Sequence, residues 1–349
     1  MSAVRRAAYM VASALDRLGL PRALAAARRR QIWKRLGLTV VAYHRIGDPT
    51  RLGALDPELV DATPETFESQ MTFLRENFRP VSMDEVLRAH RERQTMPPDS
   101  VLVTFDDGYR DNHDIAFPIL QRLGIPATFF LTTGYLNDRR LFWWERLYLH
   151  LQASQATALR LDYPTSEVLD LSTPAAKAKT KRHLTKIVKD HYALDLERFL
   201  DGVTSGCGVS WSEDESRRHG DGVLMTWDNA RAMRAAGMSI GSHTSSHRVL
   251  QTLTPADLAH ELRASRAELT RQMGEPVTTI AYPVGRSIAG LPAVRQALAE
   301  AGYELGFTAV GGINRPPPDD DAFDLRRLMI DRELPEEWTR WRVALPLLN

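Results

Sequence analysis

Two carboxylates and two imidazoles carry the chemistry legible in this chain. "VLVTFDDGYRDN" (101–112) sets Asp106 and Asp107 side by side straight after an apolar run. Adjacent like charges disfavour each other's ionisation, and burial deepens the penalty. Either a turn points both at water or something positive sits beside them. Farther on, "SHTSSH" places His243 and His247 four residues apart at the end of another apolar run. Two imidazoles so spaced can converge on one ion, across a helical turn or a tight loop. One carboxylate of the Asp pair completes a His₂Asp set, three protein ligands that leave a position open for water; the other can then take a proton from that water. A divalent cation reverses the local electrostatics, so the two pairs explain each other. The donor set suits Zn2+, and also Co2+, Ni2+ or Mn2+.

A scaffold must bring these groups together. From Leu38 onward, short apolar runs alternate with helical stretches, the pattern of βα units around a parallel sheet. "LTVVAYH" (38–44), "SVLVTFDD" (100–107), "PATFFLTTG" (126–134), "MSIGSHTSSH" (238–247), "TTIAYPVG" (278–285) and "ELGFTAV" (304–310) read as strands. "TPETFESQMTFLRENF" (63–78) and "TPADLAHELRASRAELTRQMG" (254–274) read as helices with a Thr cap, the second stopped by Gly274. That makes six or seven repeats. His44, Asp106, Asp107, His243 and His247 all fall at strand ends, where parallel α/β barrels keep their catalytic groups. Gly108 reads as the tight turn after the Asp pair. Residues 136–222 break the rhythm and read as a helical insertion. Its Trp143 and Trp144 either stack on a sugar ring or anchor the insertion to the barrel, anchoring being the simpler reading.

With 349 residues, 43% hydrophobic and 26% charged, the chain has an ordinary globular composition. A net charge of +1 provides no overall field for nucleic acid. The single cysteine, Cys207, excludes an internal disulfide framework and a multi-cysteine zinc site. Residues 1–36 differ, with nine arginines or lysines against one acid, Asp16. They read as basic amphipathic helices, packed on the domain or resting on an anionic membrane surface. "AAYMVASAL" is too short and too soon interrupted for an export signal. The expected location is the cytoplasm or the inner membrane face, with an exported form as the alternative.

"TFDDGY", "SHTSSH" and "AYPVG", in that order, resemble the first three motifs of the polysaccharide deacetylases, also termed carbohydrate esterase family 4 or NodB-homology enzymes. The run "LMTWDNARAMRAAGMSIGSHTSSHRVLQTLT" (224–254) is similar to that family around its histidine motif. The resemblance covers about residues 38–335, less the insertion. It implies an α/β architecture, a distorted (β/α)7 barrel over 37–345 with the insertion at 136–222. The implied activity is metal-dependent removal of acetyl groups from an N-acetylated saccharide or polysaccharide, in exopolysaccharide or cell-surface glycan biosynthesis. Carried over onto this chain, Asp106 is the general base, and Asp107, His243 and His247 hold the metal. Pro283 shapes the groove wall, and the Val284 backbone N–H faces the developing oxyanion. Tyr109, Tyr282, Pro283, Trp143 and Trp144 are the candidate sugar contacts.

The chain departs from the family's pattern twice. The third motif usually begins with an Arg that pairs with the base; here that position is Ala281, and Arg327 in "LRRLMID" (325–331) is expected to reach the same carboxylate, with Arg326 as fallback. The late motif's His, the general acid, is missing from "RRLMIDRE" (326–333). "VVAYHRI" (40–46) supplies His44 instead, as in a branch that resembles circular permutants and includes the poly-N-acetylglucosamine deacetylases. The seven remaining histidines read as solvated. Competing readings are hydrolysis of cyclic amides or imides on the same scaffold, and a non-catalytic glycan-binding protein. Nucleic acid is not an expected partner, since no aromatic platform or reading module accompanies the basic N-terminus.

Overall fold

Seven short strands follow the apolar runs: β1 (Thr39–Tyr43), β2 (Ser100–Phe105), β3 (Ala127–Leu131), β4 (Ser239–Ser242), β5 (Thr279–Ala281), β6 (Leu305–Phe307) and β7 (Leu328–Met329). This is a computed structural model, and it describes residues 3–29, 37–314 and 321–345. The strands pair in the order β6-β5-β4-β3-β2-β1-β7, every pair parallel. A two-residue strand, Arg79–Pro80, adds to the start of β2. The sheet curls until its ends meet through a bridge between Phe307 and Leu325, three residues before β7. The result is the distorted seven-stranded barrel expected from the alternation of elements.

Both faces of the sheet are buried, so the strands read as continuous apolar runs rather than as alternating ones. The period of two still sorts their side chains. Val101, Val103 and Phe105 of β2 pack outward against the helices, while Leu102 joins Val40, Phe130, Ala281 and Phe307 in the barrel interior. By the same alternation Thr104 and Asp106 follow Leu102 on the inner face. Register aligns Tyr43 with Phe105, Phe105 with Phe129, Leu131 with Ser242, and Ala281 with Phe307. His44, Asp106 and His243, each one residue beyond its strand, therefore rise from one rim.

Residues 136–222 contribute no barrel strand. They hold the helices Trp143–Ala153, Pro174–Asp190, Leu196–Gly206 and Glu213–Val223, and also a β-hairpin, Ala158–Leu161 with Glu167–Asp170. The hairpin corrects the expectation of a purely helical insertion. In "ALRL" the leucines are buried and Ala158 and Arg160 exposed, an alternation too brief to stand out in sequence. The helices Ala3–Arg17 and Leu20–Arg29 lie against the helix Glu336–Ala344. There the Trp341 indole donates to the Ala12 carbonyl at 3.1 Å, and Arg340 pairs with Asp16 at 2.9 Å. Arg30, Lys34 and Arg35 of the basic stretch lie outside the described residues.

Candidate active site

Asp106 ends the inner face of β2 at the barrel rim, buried, where an isolated carboxylate is costly. Arg327, beside β7, resolves this. Its Nη1 and Nη2 donate to the two Asp106 oxygens at 2.7 Å each, and its Nε donates to the Thr308 carbonyl at 2.8 Å. Burial opposes the Asp106 charge, but the guanidinium outweighs it and holds the carboxyl well below the usual carboxylate range. Arg327 thus occupies the role that an Arg at position 281 would fill. Arg326 does not reach the carboxylate; its backbone N–H is tied to the Asn314 side chain.

Asp107 faces the other way. Its backbone is left-handed, φ 74°, and Gly108 follows at φ 93°, so the chain reverses sharply at the strand end. Only glycine adopts the second value without strain. His243 and His247 each bring Nε2 to 3.4 Å from Asp107 Oδ1, and the three ligand atoms lie within 4.8 Å of one another. His243 Nδ1 lies 2.8 Å from the Ala281 carbonyl, which fixes the proton there and turns the Nε2 lone pair to Asp107. Burial pushes His243 down to about 4 and His247 further below the usual histidine value, so both rings are neutral. Burial, with Asp106 alongside, pushes Asp107 up to about 7. Asp107 Oδ1 has no hydrogen-bond partner among the described residues although it is buried. A buried acceptor aimed at two neutral imidazole nitrogens fits a divalent cation, which satisfies all three at once.

The loop that carries the histidines is held from below. Glu261, on the helix Pro255–Met273, accepts the Ser245 and Ser246 backbone N–H groups at 2.8 and 2.9 Å, and bonds the Ser246 hydroxyl as well. Thr244 and His247 sit at φ 66° and 54°. Four of the chain's left-handed non-glycine residues (Asp107, Thr244, His247 and Val284) belong to this rim, the usual place for stored backbone strain.

His44 follows β1, level with Asp106. Its backbone N–H and ring Nδ1 both meet Asp61 Oδ2, the ring at 3.2 Å. Burial works against the imidazolium, yet Asp61 prevails and raises His44 to about 9. Asp61 carries no sequence signal of its own, because it reaches His44 only through the short parallel pairing of Arg45–Ile46 with Val60–Ala62. Beneath the rim, Glu145 is fully buried and bonds Arg45 Nη1, the Asp56 N–H and the Tyr109 hydroxyl at 3.2, 2.9 and 3.2 Å. This support also escapes a reading from sequence, since Glu145 lies in the insertion.

A cavity of about 390 Å³ opens over the rim, lined by His44, Asp106, Asp107, His243, His247 and Arg327 together with Trp143, Trp144, Tyr282 and Val284. Trp143 is buried and packs edge-on against Trp144. Trp144 is half-buried, stacks on Phe142 at 4.4 Å and lies 4.3 Å from the His247 ring. Tyr109 is not brought to the cavity; it is fully buried, and its hydroxyl receives the Trp144 indole N–H at 2.7 Å. Pro283 is buried in the turn that ends at Gly285, whose added Cβ would meet the Ala309 backbone nitrogen at 2.3 Å. That close approach clamps Val284, at φ 64°, over the cavity. His150 corrects the expectation that the remaining histidines are solvated: it is buried beside Trp211, bonded to Thr204, and pushed down to about 4 by burial.

The family model described as polysaccharide deacetylase matches residues 93–171 and 175–306, more than half of the chain. A poly-beta-1,6-N-acetyl-D-glucosamine N-deacetylase of Escherichia coli (strain K12) is 34% identical over 98 residues, 28% of this chain and only 14% of the relative's length. The Streptococcus pyogenes deacetylase PplD, solved in complex with acetate, superposes with a TM-score of 0.54 at 20% identity, over 87% of this chain and 96% of that one. IcaB from Ammonifex degensii gives 0.55 at 22% identity, over 89% and 97%. At such identities the two structures show a common fold. The family match begins after His44 and ends before Arg327, so the two residues that stand in for the family's usual arginine and histidine lie outside it.

Proposed function

This chain belongs to the polysaccharide deacetylase family, and from that premise we propose that it hydrolyses N-acetyl groups on an N-acetylglucosamine-containing glycan with a divalent cation held by Asp107, His243 and His247. The observation that carries the reading is the buried, unpartnered Asp107 oxygen facing two neutral imidazoles, with a clamped second carboxylate beside it. When bound, the cation supplies Lewis-acid polarisation of the acetyl carbonyl and acidifies a water. The protein's own groups do the rest. Asp106, kept ionised by Arg327, takes a proton from the attacking water. The Val284 N–H, presented by the clamped turn, faces the oxygen on which charge develops. His44, kept protonated by Asp61, gives its proton to the departing amine, which is a poor leaving group until protonated. Trp144 and Tyr282 border the cavity where a sugar ring would lie.

The test is acetate release from a panel of N-acetylated glycans, including β-1,6-linked N-acetylglucosamine oligomers, before and after exhaustive chelation. Release is expected to vanish on chelation and return with Zn2+ or Co2+; release that survives metal removal overturns the assignment. The pH profile gives a second expectation. His44 titrates at about 9 because of Asp61, so activity that needs the imidazolium is present below that pH and lost as pH rises through it. In Asp61→Asn the histidine loses its anionic partner, and the basic limb of kcat/KM is expected to fall by at least about one pH unit toward the ordinary histidine value. An unmoved limb removes the pair from the mechanism.

We further propose that the N-terminal helices rest on a membrane face. Met10 and Val11 are exposed on the first of them and Leu18 in the turn that joins the two, in a stretch rich in arginine.

A further inference from the structure

The helix Pro174–Asp190 comes from the lysine-rich stretch "TPAAKAKTKRHLTKIVKDHY" (173–192), which the catalytic reading leaves without a purpose. At four-residue spacing it presents Lys181, Thr185 and Lys189 to the catalytic cavity. Lys181 is committed, with Asp56 and Glu58 carboxylates each at 2.6 Å. Lys189 is half-buried in the cavity wall and takes no ion-pair or hydrogen-bond partner among the described residues. A second cleft of about 330 Å³ continues off the same wall, lined by Arg182, Lys186, Lys189 and Arg286, with one acid, Asp190, among its described lining residues. Lys186 and Arg286 share that single carboxylate. Arg286 directly follows the turn whose Val284 overhangs the cavity, so the positive trough runs outward from the catalytic groups themselves.

An acetamide is neutral, and the transfer of protons by Asp106 and His44 needs none of these cations. Undercompensated positive charge beside a site attracts negative charge and focuses it there. Resting on the deacetylase reading, we propose that this trough binds an anionic group, a carboxylate or a phosphate, on the sugar next to the N-acetylated one, so that the preferred glycan is acidic. Recessed placement favours a glycan substituent over a lipid surface, because Lys189 shares a cavity with Asp106 and Asp107 rather than lying on an open face.

The test compares a neutral N-acetylglucosamine oligomer with oligomers of equal length in which glucuronate, or a sugar phosphate, alternates with N-acetylglucosamine. At low salt, kcat/KM for at least one acidic oligomer is expected to exceed the neutral one about tenfold or more, the margin shrinking as salt screens the contact. In Lys189→Gln with Arg286→Gln the ratio is expected to collapse toward one, and Lys189→Arg is expected to preserve it. Equal values in the unaltered enzyme, or a ratio that survives the double substitution, overturn the proposal. Calorimetric binding of the same oligomers separates it from the catalytic reading. Acidic oligomers that bind tightly, lose affinity in the double variant and release no acetate uphold the trough and sink the deacetylase assignment. Binding to phosphatidylglycerol vesicles that is lost in the double variant, without discrimination among oligomers, assigns the trough to a membrane and overturns the proposal.

Discussion

Asp106→Asn is expected to bind one equivalent of divalent cation as before while losing at least about 10² in kcat. The two halves of this result come from separate observations. Cation binding survives because Asp106 is not among the converging ligand atoms; they belong to Asp107, His243 and His247. Turnover falls because the amide is nearly isosteric but cannot accept a proton, and its NH₂ group faces a guanidinium that has only donors to present. Arg327 keeps Asp106 so far below the ordinary range that it is a weak base. A weak base works only on an acidified water, which is what a cation held by Asp107, His243 and His247 would provide. The base and the ligand set are therefore useful only together. Near-normal turnover in the variant, with cation stoichiometry intact, removes Asp106 from the mechanism and leaves its burial unexplained.

The parts of this site that were legible in sequence are those carried by short, contiguous runs. "TFDDGY" and "SHTSSH" each hold their chemistry within a few residues of a strand end, so a period-two strand and a rim position were enough to bring Asp107, His243 and His247 together. The barrel was legible for the same reason, since strands buried on both faces appear as apolar runs. What escaped depends on distant pairing. Asp61 meets His44 at a sequence separation of 17, Glu145 meets Arg45 at 100, and Glu261 reaches back to Ser246 at 15. None of these acids differs by type or local pattern from the many that sit in solvent. Arg327 was visible only as a candidate, because the identity of the strand that closes the barrel decides which late arginine lies beside Asp106.

That closure makes Arg327 the residue whose loss should be felt most widely. In Arg327→Met the side chain keeps its bulk, but Asp106 is left in the interior without its paired guanidinium, and such a loss typically costs about 3–5 kcal/mol. The urea midpoint at pH 7 is expected to fall accordingly. The pH dependence should change in a definite direction. In the intact pair the Asp106 carboxyl is depressed, so its contribution to stability is present above the ordinary carboxylate pKa and fades only as pH falls through the lower folded value. Without Arg327, burial is opposed only by the neighbouring histidines, His243 and His44, and raises Asp106 relative to the intact pair, so the variant should be most destabilised at neutral pH and partly recover as the carboxyl takes up a proton on acidification. Arg327→Lys separates charge from geometry: it restores a cation but not the two parallel bonds at 2.7 Å, so it should regain stability more than turnover. Adding Asp106→Asn to Arg327→Met closes the cycle. If the arginine acts by compensating the buried carboxylate, the double variant is more stable than Arg327→Met alone, since the orphaned charge is gone. A double variant destabilised by the sum of the two single effects shows instead that Arg327 holds β7 to the barrel through Thr308 and that its pairing with Asp106 is incidental.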